Sequence, residues 1–297
     1  MPVLERTGTR VLRDTSANVE LVVYVGGVAT APDSAPAVTV TQPDGTVLTS
    51  GAGSVATPCV FTLSPTYTAD VQSLKVTWVG SWGGVAGQTF ETFVQVVGGL
   101  LFNLAEARAF DNAALTSATD YPTATILAAR DRISESFEQV CAVPFGLAYG
   151  REVLDGSGDD ELWLSAGRVE SVRSIKVRTA GTTTWTAYTA GELADVLVER
   201  NGRLTRETLG AFLWGRRNIA VEYEYGYQPV PEEIKRASLW LLRDQLAGTD
   251  LPRNAISQSS ELGTFSLSVP GLRGSYYGLP QVDEVVNRYS RRLPGVG

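Results

Sequence analysis

Histidine is absent from this chain of 297 residues. Without an imidazole, the chain cannot build a Ser-His-Asp or Cys-His nucleophile system, an HExxH metalloprotease site or an ordinary zinc centre. Carboxylate, lysine or tyrosine chemistry would remain, but the loss of the commonest general base argues against an enzyme. We therefore predict a non-enzymatic protein with no cofactor and no bound metal.

Cysteine, lysine and long apolar runs are also scarce. Cys59 and Cys141 fall in segments that we assign to different domains, which argues against a disulfide and fits a reducing compartment. No apolar run approaches the length of a membrane span, and the first ten residues become polar at once, so we expect neither a membrane segment nor a signal peptide. The 25 basic residues, of which three are lysines, are outnumbered by 32 acidic ones, giving a net charge of −7. This balance predicts no tight binding to nucleic acid.

The first third of the chain has the pattern of a small all-β domain. From Thr9 to Val97, short runs of alternating apolar and polar residues are separated by turn residues such as Pro43-Asp44-Gly45 and Gly83-Gly84. This spacing predicts an antiparallel sandwich of immunoglobulin type with Trp78 in its core. Gly98-Gly99 marks its end.

Helical spacing follows. Asn103 precedes Glu106 by three residues, which predicts a capping box and a short helix running to Phe110. A second helix, ended by Pro144, is predicted by apolar residues that recur on one face over four turns: Ile126, Ala129, Ile133, Phe137, Val140 and Cys141. On that face Cys141 is better explained as a core residue than as a nucleophile.

The period changes to two between about residues 150 and 228, which predicts a β insertion, and then returns to helical over Val230–Gly248. Pro231 and two glutamates suit the start of that helix, and Gly248 suits its end. Residues 249–279 are polar and rich in glycine and serine, apart from a strand-like run at Thr264–Val269. A last helix is predicted at Val282–Tyr289.

The sequence therefore predicts a multidomain α+β chain. Its parts are an immunoglobulin-like β-sandwich at 1–98, a helical-bundle core at 99–248 that carries the β insertion, and an extended arm with a terminal helix at 249–297.

Three patterns suggest sites, and each has a simpler explanation. Asp155–Glu161 begins like a calcium loop, but Asp160 stands where glycine is needed and Ala166 where the bidentate glutamate is needed, so a solvated turn is favoured. Glu222 and Glu224 share one face of a strand, as a glycosidase pair would, but an exposed sheet face is the simpler explanation and is favoured. One segment interleaves arginines with apolar residues, which favours contact with a partner protein over nucleic acid: Arg203, Arg206, Leu209, Phe212, Trp214, Arg216 and Arg217.

Two stretches carry a resemblance to a known family. One is Val143-Pro144-Phe145-Gly146, and the other runs from Gly202-Arg203-Leu204 through Trp214 to Ile219–Ile234, where the pattern xVxYxxGYxxVP leads into a helix. Over roughly Leu100 to Leu293 the chain resembles the head-to-tail adaptor (connector, head-completion) proteins of tailed bacteriophages. Its ending, with Gly278–Asp283 before a helix, resembles the longer adaptors of phages that infect actinobacteria. The N-terminal sandwich departs from the minimal family.

This resemblance implies a structural virion protein in the neck, assembled in the host cytoplasm. It would form a dodecameric ring beneath the portal, extend the DNA channel and give the tail a platform. Its partners would be further copies of the chain, the portal protein and the next neck or tail-completion protein. Double-stranded DNA would pass without specific binding, and no membrane is implied.

Two sets of contact residues are predicted for that role. The arm and last helix would meet the portal or a neighbouring subunit through Phe265, Leu267, Val269, Leu272, Tyr276, Tyr277, Val282, Val285, Val286 and Tyr289. The alternative for the last helix is that it completes its own bundle. The arginine-rich segment of the insertion would make ring or tailward contacts.

Two other functions stay open at this point. One is a tail or virion protein whose sandwich binds host-surface glycans through exposed aromatic side chains. The other is a carboxylate-based hydrolase that uses Glu222 or Glu224.

Overall fold

The computed structural model describes residues 3–4, 9–179, 182–208, 210–247, 257–260, 263–266 and 276–290, with the backbone alone at 3–4, 257–260 and 263–266. Within these residues the protein is mostly β-sheet with five α-helices, which confirms the predicted mixed α+β class. The chain divides into two compact units. Unit 1 comprises Met1–Gly98 and Leu147–Gly226, and unit 2 comprises Gly99–Gly146 and Tyr227–Gly297.

The first part of unit 1 is a β-sandwich of three sheets. Their orders are β2-β10-β9-β6-β7, β1-β4-β5 and β3-β8. β2 runs parallel to β10, and the other pairs are antiparallel. The strands are β1 (Val3–Leu4), β2 (Thr9–Leu12), β3 (Ala17–Leu21), β4 (Val23–Val25), β5 (Val28–Thr30), β6 (Ala37–Thr41), β7 (Val47–Ala52), β8 (Cys59–Leu63), β9 (Gln72–Trp82) and β10 (Val85–Val97).

Buried and outward-facing side chains alternate along β9, and the buried ones form part of the core of the sandwich. On β9, Leu74, Val76 and Trp78 are fully buried between the sheets, while the residues between them face outward. The Trp78 Nε1 donates a hydrogen bond to Thr92 Oγ1 at 3.0 Å, so the indole is buried without an unpaired donor. The prediction of Trp78 as a core residue is confirmed.

The second part of unit 1 is the β insertion. It forms one sheet of order β11-β17-β13-β14 and another of order β12-β16-β15, with apolar residues of both buried in one core. Its elements are β11 (Ala148–Gly156), β12 (Glu161–Trp163), β13 (Val169–Val177), β14 (Thr186–Ala187), α3 (Ala190–Ala194), β15 (Val196–Val198), β16 (Arg203–Arg206) and β17 (Gly215–Tyr225). The long β17 is paired with β11 on one side and with β13 on the other, and its residues Ile219, Ala220, Val221 and Tyr223 are buried.

Unit 2 is the helical bundle. Its elements are α1 (Leu104–Ala113), α2 (Thr123–Cys141), α4 (Glu232–Ala247), α5 (Pro280–Tyr289) and a hairpin of β18 (Ser257–Ser260) with β19 (Gly263–Ser266). Asn103 and Glu106 form the predicted capping box, with each side chain accepting from the other's backbone N–H. The backbone leaves helical geometry at Phe110, where the short helix was predicted to end.

The predicted bundle faces are buried. On α2, Ile126, Ala129, Ile133, Phe137 and Cys141 are all at most 1% exposed. Burial raises the pKa of the Cys141 thiol to about 11, as expected for a core residue and not for a reactive thiolate. α4 begins one residue later than Pro231, whose carbonyl accepts from Lys235 N at 3.0 Å. Among the described residues, no helix combines the length and the apolar composition of a membrane span.

Candidate interaction surfaces

The two carboxylates considered for catalysis are ion-pair partners within unit 1. Glu222 Oε1 lies 3.6 Å from Arg151 Nε and 3.7 Å from Lys176 Nζ, and its Oε2 accepts a 2.9 Å hydrogen bond from Ser174 Oγ. Glu224 Oε1 lies 3.7 Å from Arg173 Nε. The two side chains are only 18% and 17% exposed, so the expected exposed sheet face is wrong in detail.

The same cations reach the sandwich. Arg173 Nη1 donates to Val71 O at 2.7 Å and Arg173 Nη2 lies 3.0 Å from Asp70 Oδ1. Lys176 Nζ lies 3.8 Å from Asp44 Oδ2. A hydrogen bond from Thr46 N is the main cause that holds the pKa of Asp44 below its ordinary value. Glu222 and Glu224 therefore neutralise Arg173 and Lys176, the cations that join the insertion to the sandwich. This structural role explains the position of both carboxylates, and no catalytic role is needed.

Two arginines of the predicted contact segment are engaged inside the insertion. Arg203 donates from Nε to Glu199 at 2.8 Å and from Nη1 to Glu161 at 2.9 Å, and the guanidinium hydrogen bonds lower the pKa of Glu199. Arg206 Nε lies 3.5 Å from Asp195, and both side chains are less than a tenth exposed. The guanidinium of Arg206 also lies over the Tyr188 ring, 5.3 Å from its centroid. These two arginines stabilise the insertion itself.

Phe212 is a core residue of the insertion, not a surface residue. Its side chain is 1% exposed, and its N–H donates to Asp159 O at 2.8 Å. The burial follows from the turn at 155–160, against which the segment 210–214 lies. Leu209 lies outside the described residues.

The rest of that segment forms an exposed aromatic and basic tip. Leu213 is 41% and Trp214 78% exposed, and Arg216 and Arg217 are exposed beside them. We call these four residues the Trp214 tip. Tryptophan and arginine are the side chains most enriched in the energetically dominant part of protein interfaces. Of the predicted segment, these residues are the ones available to a partner.

Three hydrogen bonds fix the backbone at the Trp214 tip. Asp155 Oδ1 accepts from Arg217 N at 2.6 Å, and Asn218 bridges the strands by donating to Leu213 O at 2.9 Å and accepting from Gly156 N at 2.9 Å. Position 156 requires glycine, because a Cβ there would lie 1.7 Å from Leu213 O. A tip fixed in this way loses little conformational entropy when it binds a partner.

Sequence inspection missed two residues beside this tip. Arg178 Nε donates to Arg217 O at 3.1 Å, and its guanidinium lies 4.8 Å from the centroid of the Trp185 ring. The local sequence carries no signal for the contact with Arg217, because Arg178 follows β13 and is distant in the chain from β17. Strand pairing alone brings them together.

In unit 2, the last helix packs into its own bundle. Val282 and Val286 are fully buried, and Val285 is half-buried against the same core. The Tyr289 ring lies 5.7 Å from those of Phe145 and Tyr227. Of the two interpretations of α5, the structure therefore has the helix completing its own bundle.

The residues that lead into α5 are tied down as well. Asp283 Oδ1 accepts from the backbone N–H groups of Tyr276 and Tyr277 at 2.9 and 2.8 Å. The Tyr277 hydroxyl lies 2.9 Å from Ser136 Oγ, and burial raises the pKa of Tyr277 to about 12. Tyr276 is 45% exposed. Phe265 lies in β19 but its side chain is outside the described residues, as are Leu267, Val269 and Leu272 altogether.

The two stretches that carry the family resemblance meet in unit 2. The ring of Phe145, from the first stretch, stacks on that of Tyr227, from the second, at 5.6 Å and an interplanar angle of 23°. The next residue, Gly146, lies close to the backbone of Gly99, because a Cβ at position 146 would lie 2.2 Å from Gly99 O. Phe145 is fully buried, so these motif positions build the bundle core.

No group of three or more metal-ligating side chains occurs in the described part of the chain. The acidic turn at 155–161 instead forms hydrogen bonds with the neighbouring backbone. The Asp155 carboxylate accepts one from the backbone of β17, and Asp159 O accepts one from Phe212 N.

No protein-family model and no curated protein sequence matches the chain. Among solved structures, it is similar to a chain in the neck of an empty gene transfer agent particle (14% identity, TM-score 0.39, covering 65% of this chain and 96% of that chain). It is also similar to a chain in the virion of the native particle (17% identity, TM-score 0.40, 66% and 93%). A third is a pair of tandem V-type regions of a chitin-binding protein (8% identity, TM-score 0.22, 75% and 97%). TM-scores this low do not establish a common fold, and no functional conclusion follows from them.

Proposed function

We propose that this chain is a structural protein of a virion neck, a head-to-tail adaptor. It forms a ring of identical subunits beneath the portal, extends the DNA channel and gives the tail a platform. The observation that carries this proposal is the meeting of the two resemblance stretches. Residues about eighty positions apart in the chain pair as Phe145 and Tyr227, so the similarity follows one three-dimensional arrangement.

Five of the six defined positions of the pattern xVxYxxGYxxVP have a role in a core or in the backbone. Val221 and Tyr223 are buried in the insertion core, and Tyr227 and Val230 pack in the bundle core. Gly226 has a φ of 119°, a conformation that favours glycine, and its N–H donates to Arg168 O at 3.0 Å. The pattern therefore places core residues in each unit and a glycine between them, which supports the proposed membership of the family.

The Trp214 tip is the surface we assign to ring or tailward contact. It combines an exposed tryptophan with two exposed arginines on a fixed backbone, and heterologous contacts between copies close a ring. Arg203, Arg206 and Phe212 support the insertion from within. The arm and Tyr276 remain our proposed contacts with the portal or a neighbouring subunit. The acidic net charge of −7 suits a channel through which DNA slides, since each phosphate contact would add affinity.

We further propose that the sandwich is of the immunoglobulin type. The order β10-β9-β6-β7 corresponds to strands G-F-C-C′, and the pair β3-β8 corresponds to B-E. Trp78 lies on the strand in the F position, whereas antibody domains carry their core tryptophan on C. Among the described residues of the sandwich, Phe93 is the only aromatic side chain classed as exposed, so nothing there favours glycan binding over the adaptor role.

Native mass tests the proposal. We expect the purified 31.8 kDa chain, alone or mixed with its portal protein, to form a closed assembly of about twelve copies. Analytical ultracentrifugation and native mass spectrometry measure this directly. A chain that remains monomeric at all concentrations and ignores the portal would refute the adaptor function.

A further inference from the structure

The five-stranded sheet of the sandwich ends in an unprotected edge. β7 closes that sheet on one side, and no strand of the described residues pairs with its outer side. Its sequence, Val-Leu-Thr-Ser-Gly-Ala, has no charged residue and no proline, which are the usual features that keep an edge from pairing with another chain. Ser50, Gly51 and Ala52 are exposed.

The direction of the free backbone groups follows from the pairing with β6. Gly53 N donates to Pro36 O at 2.9 Å, and the register pairs Ala37 with Ala52 and Thr39 with Ser50. Because hydrogen-bonded and non-hydrogen-bonded pairs alternate in an antiparallel ladder, the N–H and C=O groups of Ser50 and Ala52 point away from β6. The edge therefore offers two donors and two acceptors in the spacing of a strand.

Other edges of unit 1 are protected. β8 is also uncharged, but Ser54 occupies its outer side, donating from N to Val60 O and accepting from Val60 N, both at 2.9 Å. β11 carries Arg151, Glu152 and Asp155. β14 is two residues long, and β5 and β15 are three each. Among the described strands of unit 1, β7 is the longest edge strand without charge or cover.

Unit 2 contains the complementary element. The hairpin β18-β19 forms a sheet of two strands, and no third strand of the described residues joins it. A lone two-stranded hairpin is marginally stable in water. The sequence from Thr264 to Val269 alternates Thr-Phe-Ser-Leu-Ser-Val, the pattern of a half-buried strand, and carries no charge that would oppose the uncharged β7.

We propose that the outer edge of β7 receives β19 from a second copy of this chain, so that the hairpin β18-β19 extends the five-stranded sheet. Backbone hydrogen bonds from Ser50 and Ala52 supply the attachment, and the alternating apolar side chains of the arm supply the fit, as in other strand-addition interfaces. This inference rests on the proposed ring, in which each subunit has a neighbour.

Chemical cross-linking of the full chain tests it. The variant pairs Ser50→Cys on β7 with Ser266→Cys on β19 and is treated with a short bismaleimide. The matched control pairs Glu91→Cys with Ser266→Cys. Glu91 lies in the same cross-sheet row, through Thr77 and Thr39 to Ser50, but about 14 Å further from the edge. Each single variant measures the background from the buried Cys59 and Cys141.

Interchain products about tenfold above the single variants and the Glu91 control are expected for the β7 pair, because a docked arm gives the two thiols a millimolar effective concentration. A ring of normal native mass without this cross-link would overturn the β7 inference and leave the adaptor function standing. Interchain cross-links in an open oligomer that never closes would support the β7 inference and refute the ring. A cross-link confined to single chains would overturn the β7 inference alone, and a protein that stays monomeric without any interchain cross-link would overturn both.

Discussion

Replacing Phe145 by alanine tests the core that underlies the proposed function. The Phe145 side chain is fully buried, and its ring lies 5.6 Å from Tyr227, 5.7 Å from Tyr289 and 6.5 Å from Phe137. Truncating a buried phenylalanine to alanine costs about 3–5 kcal/mol, and aromatic pairs of this geometry place the loss toward the upper part of that range. We therefore expect Phe145→Ala to destabilise unit 2 by about 4 kcal/mol.

Urea unfolding followed by circular dichroism at 222 nm measures this loss selectively. Four of the five α-helices in the described part of the chain belong to unit 2, so the helical signal reports on its unfolding. With a urea dependence of about 2 kcal/mol per molar, the midpoint should fall by about 2 M. Phe93→Ala is the matched control, because Phe93 is 43% exposed on the sandwich and its truncation should change stability by less than about 0.5 kcal/mol. Equal midpoints for the two variants would refute the assignment of Phe145 to the bundle core.

Three further outcomes follow from individual contacts. Arg173→Ala should lower the free energy of unfolding of unit 1 by about 2 kcal/mol, because it removes the ion pair with Asp70 and the hydrogen bond to Val71 O. Thermal unfolding measures this loss of stability, which should be smaller at about 1 M salt than at about 0.1 M. Trp214→Ala should leave the monomer's urea midpoint unchanged and weaken assembly by at least about 2 kcal/mol in sedimentation experiments, and the reverse pattern would contradict an interface role. Burial raises the pKa of Tyr277 to about 12 from an unfolded value near 10, so the folded state favours the neutral phenol. Its contribution is complete below pH 10 and is lost as the pH rises through 12, and Tyr277→Phe should make unfolding less pH-dependent in that window.

Local signals in the sequence predicted the elements of unit 2 closely. The capping box at Asn103 and Glu106 and the apolar stripe of α2 depend on neighbours within a few turns, so spacing alone reveals them. The predicted Val230–Gly248 helix was observed as Glu232–Ala247 for the same reason. Its first-turn glutamates and its broad apolar face are local properties.

Contacts between distant strands were not predictable in this way. Glu222 and Glu224 share a strand face in the sequence, but nothing near them indicates that Arg173 and Lys176 would neutralise them. The same cations also contact Asp70, Val71 and Asp44 of the sandwich, which are more than a hundred residues away in the chain. For Phe212 the sequence predicted a surface contact, because an apolar residue among arginines is typical of an interface. In the structure the turn at 155–160 covers Phe212, and its side chain is buried.

The burial of the family pattern decides where partner contacts should be sought. Val221, Tyr223 and Tyr227 point into cores, and Gly226 is required by its backbone conformation, so substitutions there would unfold the chain before they altered an interface. Chains that share only this pattern should therefore share these core positions but differ in their binding surfaces. In this chain the surfaces that we propose, the Trp214 tip and the open edge of β7, lie outside the pattern, and neither is specified by the residues on which the resemblance depends.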